Sequence, residues 1–485
     1  MFRRRMLIAF LAILLLLAVA VACGGGDDGA AEEADVTETE QEVTGEEAPD
    51  EPVEEAADEG ADNEPADEGQ AGPDVEASGS EPGAGDDETV AGPGVGPKVD
   101  GTPQPQPTTS PADSNVPERA EGGDAAELPV AAEPAGLPTG SRLTAGAVDD
   151  NAEWDAYLTY LQNYNGPAAL PVDVSQRHQI LVLDAAERPV LAALVVIEAN
   201  GAEVARLRTH SDGRVYFFPS ILPAELQADL YTITATVNGE TVALELDAAG
   251  GQREWTIIHP GAAAPAAGVN LDILFLLDAT GSMGDEIQQL KDNLEQIAAQ
   301  IDALPAQPDV RFGMVIYRDR GDEFVVRSYD FTPDLATFSL FLDDVTADGG
   351  GDYPEDLNEA LNQAVLVPEW RLEDTVSLMF LVADAPPHLD YADQQLTYVD
   401  GMTRAAELGI KIFPIATSNL DAQGEYIFRQ LAQFTGAQFI FLTYGEEGPG
   451  STGDQTDLQV ENFTVSALDE LVVQLVAAEL AHRVP

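Results

Sequence analysis

The sequence predicts an α/β protein with a doubly wound, mostly parallel sheet, preceded by a small β-sandwich and a long disordered linker. Residues 268–483 alternate apolar strands with amphipathic helices, which is typical of a parallel sheet covered on both faces. Residues 150–260 contain short strand patterns separated by turn signals. Residues 24–149 are acidic and hold no Phe, Trp or Tyr. Together with residues 1–23, these ranges divide the chain into its predicted segments.

The first segment, residues 1–23, has the features of an export signal. The arginines Arg3–Arg5 precede the uncharged apolar run Met6–Ala22, which ends at Cys23. The segment resembles a bacterial lipoprotein signal, which implies cleavage before Cys23 and a lipid on its thiol, although Ala20 stands where that family usually has Leu. An uncleaved anchor and ordinary signal cleavage are the alternatives. Each predicts that the rest of the chain lies on the extracytoplasmic face of the cell membrane, because positive residues stay inside.

The second segment is dominated by negative charge. Residues 24–150 hold 35 Asp and Glu against three basic residues. Such a stretch buries too little apolar surface to offset an ordering cost of about 1–2 kcal/mol per residue. We expect residues 24–149 to form a disordered, extended linker, which becomes stiffer where Pro is frequent, between residues 98 and 147.

Charge also limits the partners of the remaining chain. Residues 151–485 carry 52 acidic and 16 basic residues, whereas nucleic-acid binding needs clustered Lys and Arg. We therefore expect no nucleic acid as a partner, and the acidity is compatible with cation binding. Cys23 is the one cysteine of the sequence, so no disulfide can form within the chain.

In the third segment, residues 150–260, the sequence pattern predicts one helix and seven strands. Apolar residues from Trp154 to Tyr164 recur at helical spacing. The strands are predicted at 179–183, 193–198, 203–209, 214–218, 230–237, 241–246 and 254–257, with turn signals between them. The residue order from Asp184 to Phe217 resembles that of carboxypeptidase regulatory-like (transthyretin-like) sandwich modules. That resemblance implies a spacer or an adhesive unit, and we find no catalytic set in this segment.

The fourth segment, residues 268–483, carries the α/β alternation. The continuous apolar run Leu271–Leu277 predicts a buried strand, and the predicted helix Met283–Leu304 has one apolar face. Further strands are predicted at 310–317, 323–330, 376–382, 410–415 and 439–442, and further helices at 334–344, 355–365, 392–408, 425–434 and 465–481. In an open parallel sheet, ligands bind at the carboxyl ends of strands, near the point where the strand order reverses. Polar residues that follow these strands therefore form the candidate site.

Three polar loops follow these strands or lie on the same edge, one after strand 271–277, one in the glycine-rich stretch 349–356 and one after strand 376–382. They contribute the candidate ligands Asp278, Thr280, Ser282, Asp352, Glu355 and Asp384. Carboxylate and hydroxyl oxygens are hard ligands, suited to Mg²⁺, Mn²⁺ or Ca²⁺. Each loop taken alone also has a structural interpretation, as a helix cap or as a turn.

Together the three loops resemble the metal-ion-dependent adhesion site of a von Willebrand factor A (VWA) domain, which has a Rossmann-like fold. The family pattern Asp-x-Ser-x-Ser corresponds to Asp278, Thr280 and Ser282, and Thr keeps the first hydroxyl. Many family members add a Thr from the second loop. Here that loop resembles the Asp-x-Pro-Glu version of integrin β subunits, which implies Glu355 as the third ligand and leaves Asp352 as the other candidate.

The resemblance covers residues 268–483 and carries further implications. Asp384 matches the last acidic position of the family, which usually acts through a water molecule. The implied metal is Mg²⁺, with Mn²⁺ or Ca²⁺ as alternatives, and an open coordination position accepts a carboxylate from a partner protein. The predicted function is that of a non-enzymatic, lipid-anchored cell-surface protein that binds a protein partner through the metal.

Two other functions remain as alternatives. The first is a metal-free structural protein of the cell envelope. The second is a metal-dependent, phosphatase-like hydrolase with Asp278 as nucleophile, but that class needs a second Asp where Thr280 stands. No Gly-x-Ser-x-Gly elbow surrounds Ser282, and no phosphate loop with Lys is present. The five histidines have no zinc-like spacing, and we interpret His388 as a loop hydrogen-bonder.

Overall fold

The structure is a computed structural model that describes residues 143–262, 268–448, 451–460 and 463–483. The predicted export signal, Cys23 and the predicted linker up to residue 142 lie outside these residues. None of the described helices combines the length and the apolarity that a membrane span requires.

The described part of the chain contains fifteen strands and seven α-helices. The strands are β1 (Thr144–Val148), β2 (His178–Asp184), β3 (Leu194–Ala199), β4 (Ala202–Arg208), β5 (Arg214–Phe217), β6 (Leu230–Val237), β7 (Glu240–Asp247), β8 (Glu254–His259), β9 (Asn270–Asp278), β10 (Asp309–Tyr317), β11 (Val326–Thr332), β12 (Thr375–Ala383), β13 (Ile410–Ala416), β14 (Phe439–Thr443) and β15 (Ser466–Ala467). The helices are α1 (Trp154–Asn163), α2 (Gly284–Asp302), α3 (Leu335–Asp343), α4 (Leu357–Leu366), α5 (Tyr398–Leu408), α6 (Ala422–Phe434) and α7 (Leu468–Ala481).

Eight of these strands form one mixed sheet in the order β11-β10-β9-β12-β13-β14-β1-β15. The five strands from β10 to β14 in that order are parallel, whereas β11, β1 and β15 pair antiparallel with their neighbours. In β9, Leu274 and Leu276 belong to one apolar core, and Ile273 and Phe275 belong to the other. Because both faces are covered, the strand is a continuous apolar run in the sequence.

Helices cover the two faces of this sheet. Helices α2, α3 and α7 supply Leu294, Phe338 and Val476 to one core. Helices α4, α5 and α6 pack on the opposite face, with Leu361 of α4 and Phe428 of α6 in the other core. The result is a mixed sheet between helices, which is consistent with the predicted α/β fold.

Two smaller sheets precede the large one in the chain. One has the order β5-β2-β8, and the other has the order β4-β3-β6-β7. Their strands correspond to the seven predicted between residues 179 and 257, with ends shifted by one or two residues. Alternate residues are buried along β2 and β3, and the rings of Phe217 and Tyr231 meet edge to face with centroids 5.0 Å apart. The alternation places one face of each small sheet in an apolar core.

The boundary predicted between linker and folded chain is wrong at its end. Strand β1, predicted as the end of the linker, pairs antiparallel with β14, from Thr144 opposite Thr443 to Val148 opposite Phe439. Ala145 is fully buried there. The strand consists of small residues without a clear alternation, and its partner lies almost at the other end of the chain, so local patterns do not reveal it.

Helix α1 was predicted as part of the β-sandwich segment, but it packs on α6 of the α/β unit. The rings of Tyr160 and Tyr426 lie 6.3 Å apart. Beside them, the carboxylate of Asp150 accepts two hydrogen bonds from the guanidinium of Arg429, at 2.9 and 2.6 Å. The segment before β2 is therefore attached to the large unit.

Candidate metal centre

The predicted site lies where the strand order of the large sheet reverses. Strand β9 has β10 on one side and β12 on the other, and all three are parallel. Asp278 ends β9, and Asp384 directly follows β12. Both carboxylates therefore stand on one edge of the sheet, at the place where open α/β sheets bind ligands.

The first loop orients Asp278 and places two hydroxyl groups close to it. The backbone N–H and the hydroxyl of Thr280 both donate to Asp278 Oδ1, at 2.9 and 2.7 Å. The Thr280 Oγ1 lies 3.3 Å from the Oγ of Ser282. Helix α2 begins after Met283 with no side-chain cap, so Ser282 does not serve as the helix cap that it resembled in the sequence.

The second loop brings Glu355 to the same place. Its backbone N–H donates to Pro386 O at 3.1 Å, and its carbonyl accepts from the N–H of His388 at 3.0 Å. Asp356, not Glu355, caps α4 through its side chain. Helix α4 consequently begins two residues later than predicted, and the Glu355 side chain is buried without a capping role.

Glycines allow the first and second loops to lie against each other. Gly281 N–H donates to Gly349 O at 3.1 Å. Gly350 has a φ of +63°, and a Cβ there would lie 2.7 Å from Glu355 Oε1 and 3.0 Å from Thr280 Cβ. Only a residue without a side chain fits between these two groups.

The third loop contributes Asp384, which is buried at 6% exposure. The hydroxyl of Ser282 hydrogen-bonds to it, which lowers its pKa, but burial has the larger effect and raises that pKa above the ordinary value. The bond links the first loop to the third. Asp384 thus faces the candidate ligands instead of only starting a turn.

The electrostatics of the site favour a bound cation. Burial and then the charge of Asp384 raise the pKa of Asp278 to about 7. Burial and then the charge of Asp278 raise the pKa of Glu355 to about 9. Asp278 Oδ2 and Glu355 Oε2 are buried without a well-formed hydrogen bond. Close, buried carboxylates resist ionisation unless a positive charge joins them, and a divalent ion is such a charge.

The chemistry of these donors fits a hard divalent cation. Asp278, Thr280, Ser282 and Glu355 would offer only oxygen atoms, and Asp384 stands behind Ser282. All-oxygen sets suit Mg²⁺, Mn²⁺ or Ca²⁺. The residues that the sequence predicted therefore come together, and their role as ligands stays a prediction.

Asp352, the alternative third ligand, lies with two other potential ligands that the sequence analysis did not group. One ligand atom from each of Asp352, Asp319 and His388 lies within 4.8 Å of the others. Sequence reasoning did not find this second group, because it assigned no role to Asp319 and interpreted His388 as a loop hydrogen-bonder. A signal was available, since Asp319 follows the carboxyl end of β10, the neighbour of β9.

The fold and the loops correspond to a known domain type. Residues 272–444 match the family model described as the von Willebrand factor A domain. This segment is a VWA domain, a class whose members commonly mediate interactions between proteins. The matched range lies inside the predicted segment 268–483.

Curated relatives match part of this chain. The chain is 28% identical over 164 residues to "Alpha-protein kinase vwkA" of Dictyostelium discoideum, covering 33% of this chain and 25% of that protein. It is 26% identical over 188 residues to "Putative ariadne-like RING finger protein R811" of Acanthamoeba polyphaga mimivirus, covering 36% and 18%. It is 36% identical over 113 residues to "von Willebrand factor A domain-containing protein 7" of Mus musculus, covering 23% and 12%. The chain thus spans at most a quarter of the length of these relatives.

Proposed function

We propose that this chain is a lipid-anchored binding protein of the extracytoplasmic membrane face that engages a protein partner through a divalent cation, with Mg²⁺ as the first candidate. The observation that carries the proposal is the pair of buried oxygens without a well-formed hydrogen bond, Asp278 Oδ2 and Glu355 Oε2, beside the hydroxyls of Thr280 and Ser282. A VWA domain supports an interaction or adhesion role. The anchor rests on residues 1–23 of the sequence alone.

The residues of the site would have different roles in holding the cation. Thr280 fixes the orientation of Asp278 through two hydrogen bonds to one oxygen, so the other oxygen is directed away from them. Ser282 is exposed, whereas Asp278 and Thr280 are fully buried. The site is consequently open to solvent on the side of Ser282. A bound divalent cation would supply there an acceptor for a carboxylate of the partner.

The site favours binding over catalysis. A phosphatase-like mechanism needs a second carboxylate two residues after the nucleophile, and Thr280 occupies that position with its hydroxyl donated to Asp278. We therefore propose a non-enzymatic role. Hydrolysis of a generic phosphate monoester by the full chain with Mg²⁺, lost in Asp278→Asn, would contradict it.

The test of the proposal compares cation binding with partner binding. Titration calorimetry of Mg²⁺ into the full chain should show one site, which Asp278→Ala removes. Asp302→Ala is the matched control, because Asp302 is an exposed carboxylate at the far end of α2. Envelope proteins cross-linked to the wild type in Mg²⁺ should be absent in EDTA and with Asp278→Ala, and present with Asp302→Ala.

The outcomes separate the alternatives. If no Mg²⁺, Mn²⁺ or Ca²⁺ binds, the metal-free structural role replaces the proposal. If the cation binds and the same cross-linked proteins persist in EDTA, the cation has a structural role and the partner binds elsewhere.

A further inference from the structure

A second group of ligand atoms lies beside the site described above and has a different chemistry. Asp319 follows β10, Asp352 belongs to the glycine-rich loop and His388 follows β12, so three loops converge on it. One ligand atom from each lies within 4.8 Å of the other two. Asp319 and His388 are buried, at 5% and 3% exposure, while Asp352 is exposed. The group therefore has a closed base and one open side.

The imidazole of His388 is prepared as a ligand. Its Nδ1 lies 2.8 Å from Asp390 Oδ1, and its Nε2 is buried without a hydrogen-bond partner. A carboxylate at Nδ1 holds the proton on that nitrogen and leaves the lone pair on Nε2, which is the usual arrangement behind a metal-bound histidine. The ring of Tyr391 stacks on His388 with centroids 4.0 Å apart and fixes its plane.

The distance from His388 to Asp319 suits a shared ion better than a direct bond. His388 Nε2 lies 3.7 Å from Asp319 Oδ1, which is too long for a hydrogen bond. Two ligands that each lie about 2.1 Å from one ion are about 3 to 3.5 Å apart. A small movement of the His388 and Asp319 side chains towards each other would bring His388 Nε2 and Asp319 Oδ1 to bonding distance of one cation.

The Asp319 carboxylate is held in position by the same tyrosine. The Tyr391 hydroxyl donates to both of its oxygens, at 2.7 and 2.9 Å. The nearby cation, Arg320, is engaged elsewhere: its guanidinium pairs with Asp356 at 2.9 Å and with Asp393 at 2.6 Å. The charge of Asp319 is thus oriented but not neutralised by that arginine.

We propose that His388, Asp319 and Asp352 bind a second divalent cation, of the transition-metal class that accepts imidazole, such as Zn²⁺ or Ni²⁺. One neutral nitrogen and two carboxylates are a donor set for those ions, whereas Mg²⁺ and Ca²⁺ prefer oxygen alone. The assignment also gives Asp352 a role distinct from that of Glu355. It does not depend on the proposed partner binding.

The two sites are joined through the backbone. The N–H of His388 donates to the carbonyl of Glu355 at 3.0 Å, and Glu355 and Pro387 form an isolated bridge. Asn358 holds the carbonyl of His388 at 2.5 Å from the same helix that follows Glu355. An ion on His388 would therefore stiffen the loop that presents Glu355.

Cobalt is the probe for the test, because imidazole ligation of Co²⁺ gives paramagnetically shifted ring-proton resonances that oxygen ligation lacks. The full chain with Co²⁺ should show one such imidazole and a binding stoichiometry that falls by one ion in His388→Gln. Asp390→Asn should weaken this binding about 10–100-fold, because it removes the carboxylate behind the ligand. His482→Gln, at an exposed histidine, is the matched control and should change neither.

Asp278→Ala distinguishes the two sites. It should abolish Mg²⁺ binding and keep the shifted imidazole resonance, so failure of the first site leaves this proposal standing. Thermal melts of each variant without metal confirm folding. A wild type without an imidazole-bound Co²⁺, or a resonance that survives His388→Gln, overturns the second site and leaves His388 as a structural ion-pair partner of Asp319 and Asp390.

Discussion

Thr280 donates two hydrogen bonds to the same oxygen of Asp278, from its backbone N–H at 2.9 Å and from its hydroxyl at 2.7 Å. Asp278 Oδ1 is thereby satisfied, and Oδ2 is buried without a well-formed partner. Burial has the largest effect on the pKa of Asp278 and raises it, but the Tyr317 hydroxyl also lies close enough to Asp278 to lower that pKa. One carboxylate therefore has a structural oxygen and an oxygen that a ligand could engage, and substitutions can separate the two roles.

Asp278→Asn is expected to separate stability from cation binding. The amide oxygen can still accept both bonds from Thr280, and the substitution removes a buried charge that is unfavourable without metal. The metal-free melting temperature should stay the same or rise. The wild type should gain about 2.7 kcal/mol at a Mg²⁺ concentration of about 100 times Kd, and the variant should gain nothing. Melting curves with and without Mg²⁺ measure both effects, and an equal Mg²⁺ shift in the variant would refute the ligand role.

Gly350→Ala should disturb the site by steric contact. Its Cβ would lie 2.7 Å from Glu355 Oε1, and its φ of +63° is unfavourable for Ala. We expect a loss of about 1–2 kcal/mol of stability from the backbone and a weaker Mg²⁺ affinity from the displaced Glu355. Gly201→Ala is the control, because Gly201 has a φ of +79° and open space around it. Calorimetry should show a weaker Mg²⁺ affinity in Gly350→Ala and an unchanged affinity in Gly201→Ala. Equal affinity in both variants would contradict this account of the loop.

His210 should make the protein less stable in acid. Burial and then the charge of Lys411 lower its pKa from 6.5 to about 3. The folded protein thus holds His210 neutral where the unfolded chain protonates it. This contribution to stability is complete above pH 6.5 and is lost as the pH falls towards 3, with a slope of at most about 1.4 kcal/mol per pH unit.

Urea unfolding across that pH range tests the role of His210. His210→Gln should flatten the acid limb of the stability curve. His482→Gln should leave it unchanged, because that histidine is exposed. The groups around His210 are Asp212 and Lys411, and Lys411 is paired with Glu479 at 2.7 Å. An unchanged slope in His210→Gln would assign the acid sensitivity to other groups.

Asp150→Ala should loosen the segment that precedes the small sheets. Its carboxylate makes two hydrogen bonds to Arg429, and both residues are buried. Removing one partner of a buried pair costs about 3 kcal/mol, because the remaining charge stays buried. Arg429→Met in the same chain should recover only part of that loss, because it also removes the cation that lies 3.4 Å from the buried carboxylate of Glu425. Urea unfolding of the single and double variants gives the coupling energy, and additive losses would show that the pair does not act as a unit.

Much of the α/β unit could be predicted because its signals are local. The run Leu271–Leu277 predicts a strand, and the apolar stripe that follows it predicts a helix. The ends of the observed strand and helix differ from the predicted ends by one or two residues. Loops placed after such strands then meet on one edge without further information. This is why Asp278 and Asp384 could be grouped from the sequence, whereas Glu355, whose loop follows a helix, was added to them through the family resemblance.

The remaining features depend on partners that are distant in the chain. Strand β1 can be recognised only from its pairing with β14, because small residues such as Gly146 give no periodic signal in the sequence. His388 becomes a candidate ligand only when Asp319 and Asp352 are placed around its free nitrogen. Local patterns contain neither relationship, because both follow from tertiary packing.

The antiparallel pairing of β1 has a mechanical consequence. Thr144, where the described chain enters the sheet, lies opposite Thr443 at the carboxyl end of β14, which is the edge that also carries Asp278. A pull between that edge and the chain before Thr144 would act across β1 instead of along it. Such a load would separate β1 from its neighbours β14 and β15 one residue pair at a time, starting at Thr144.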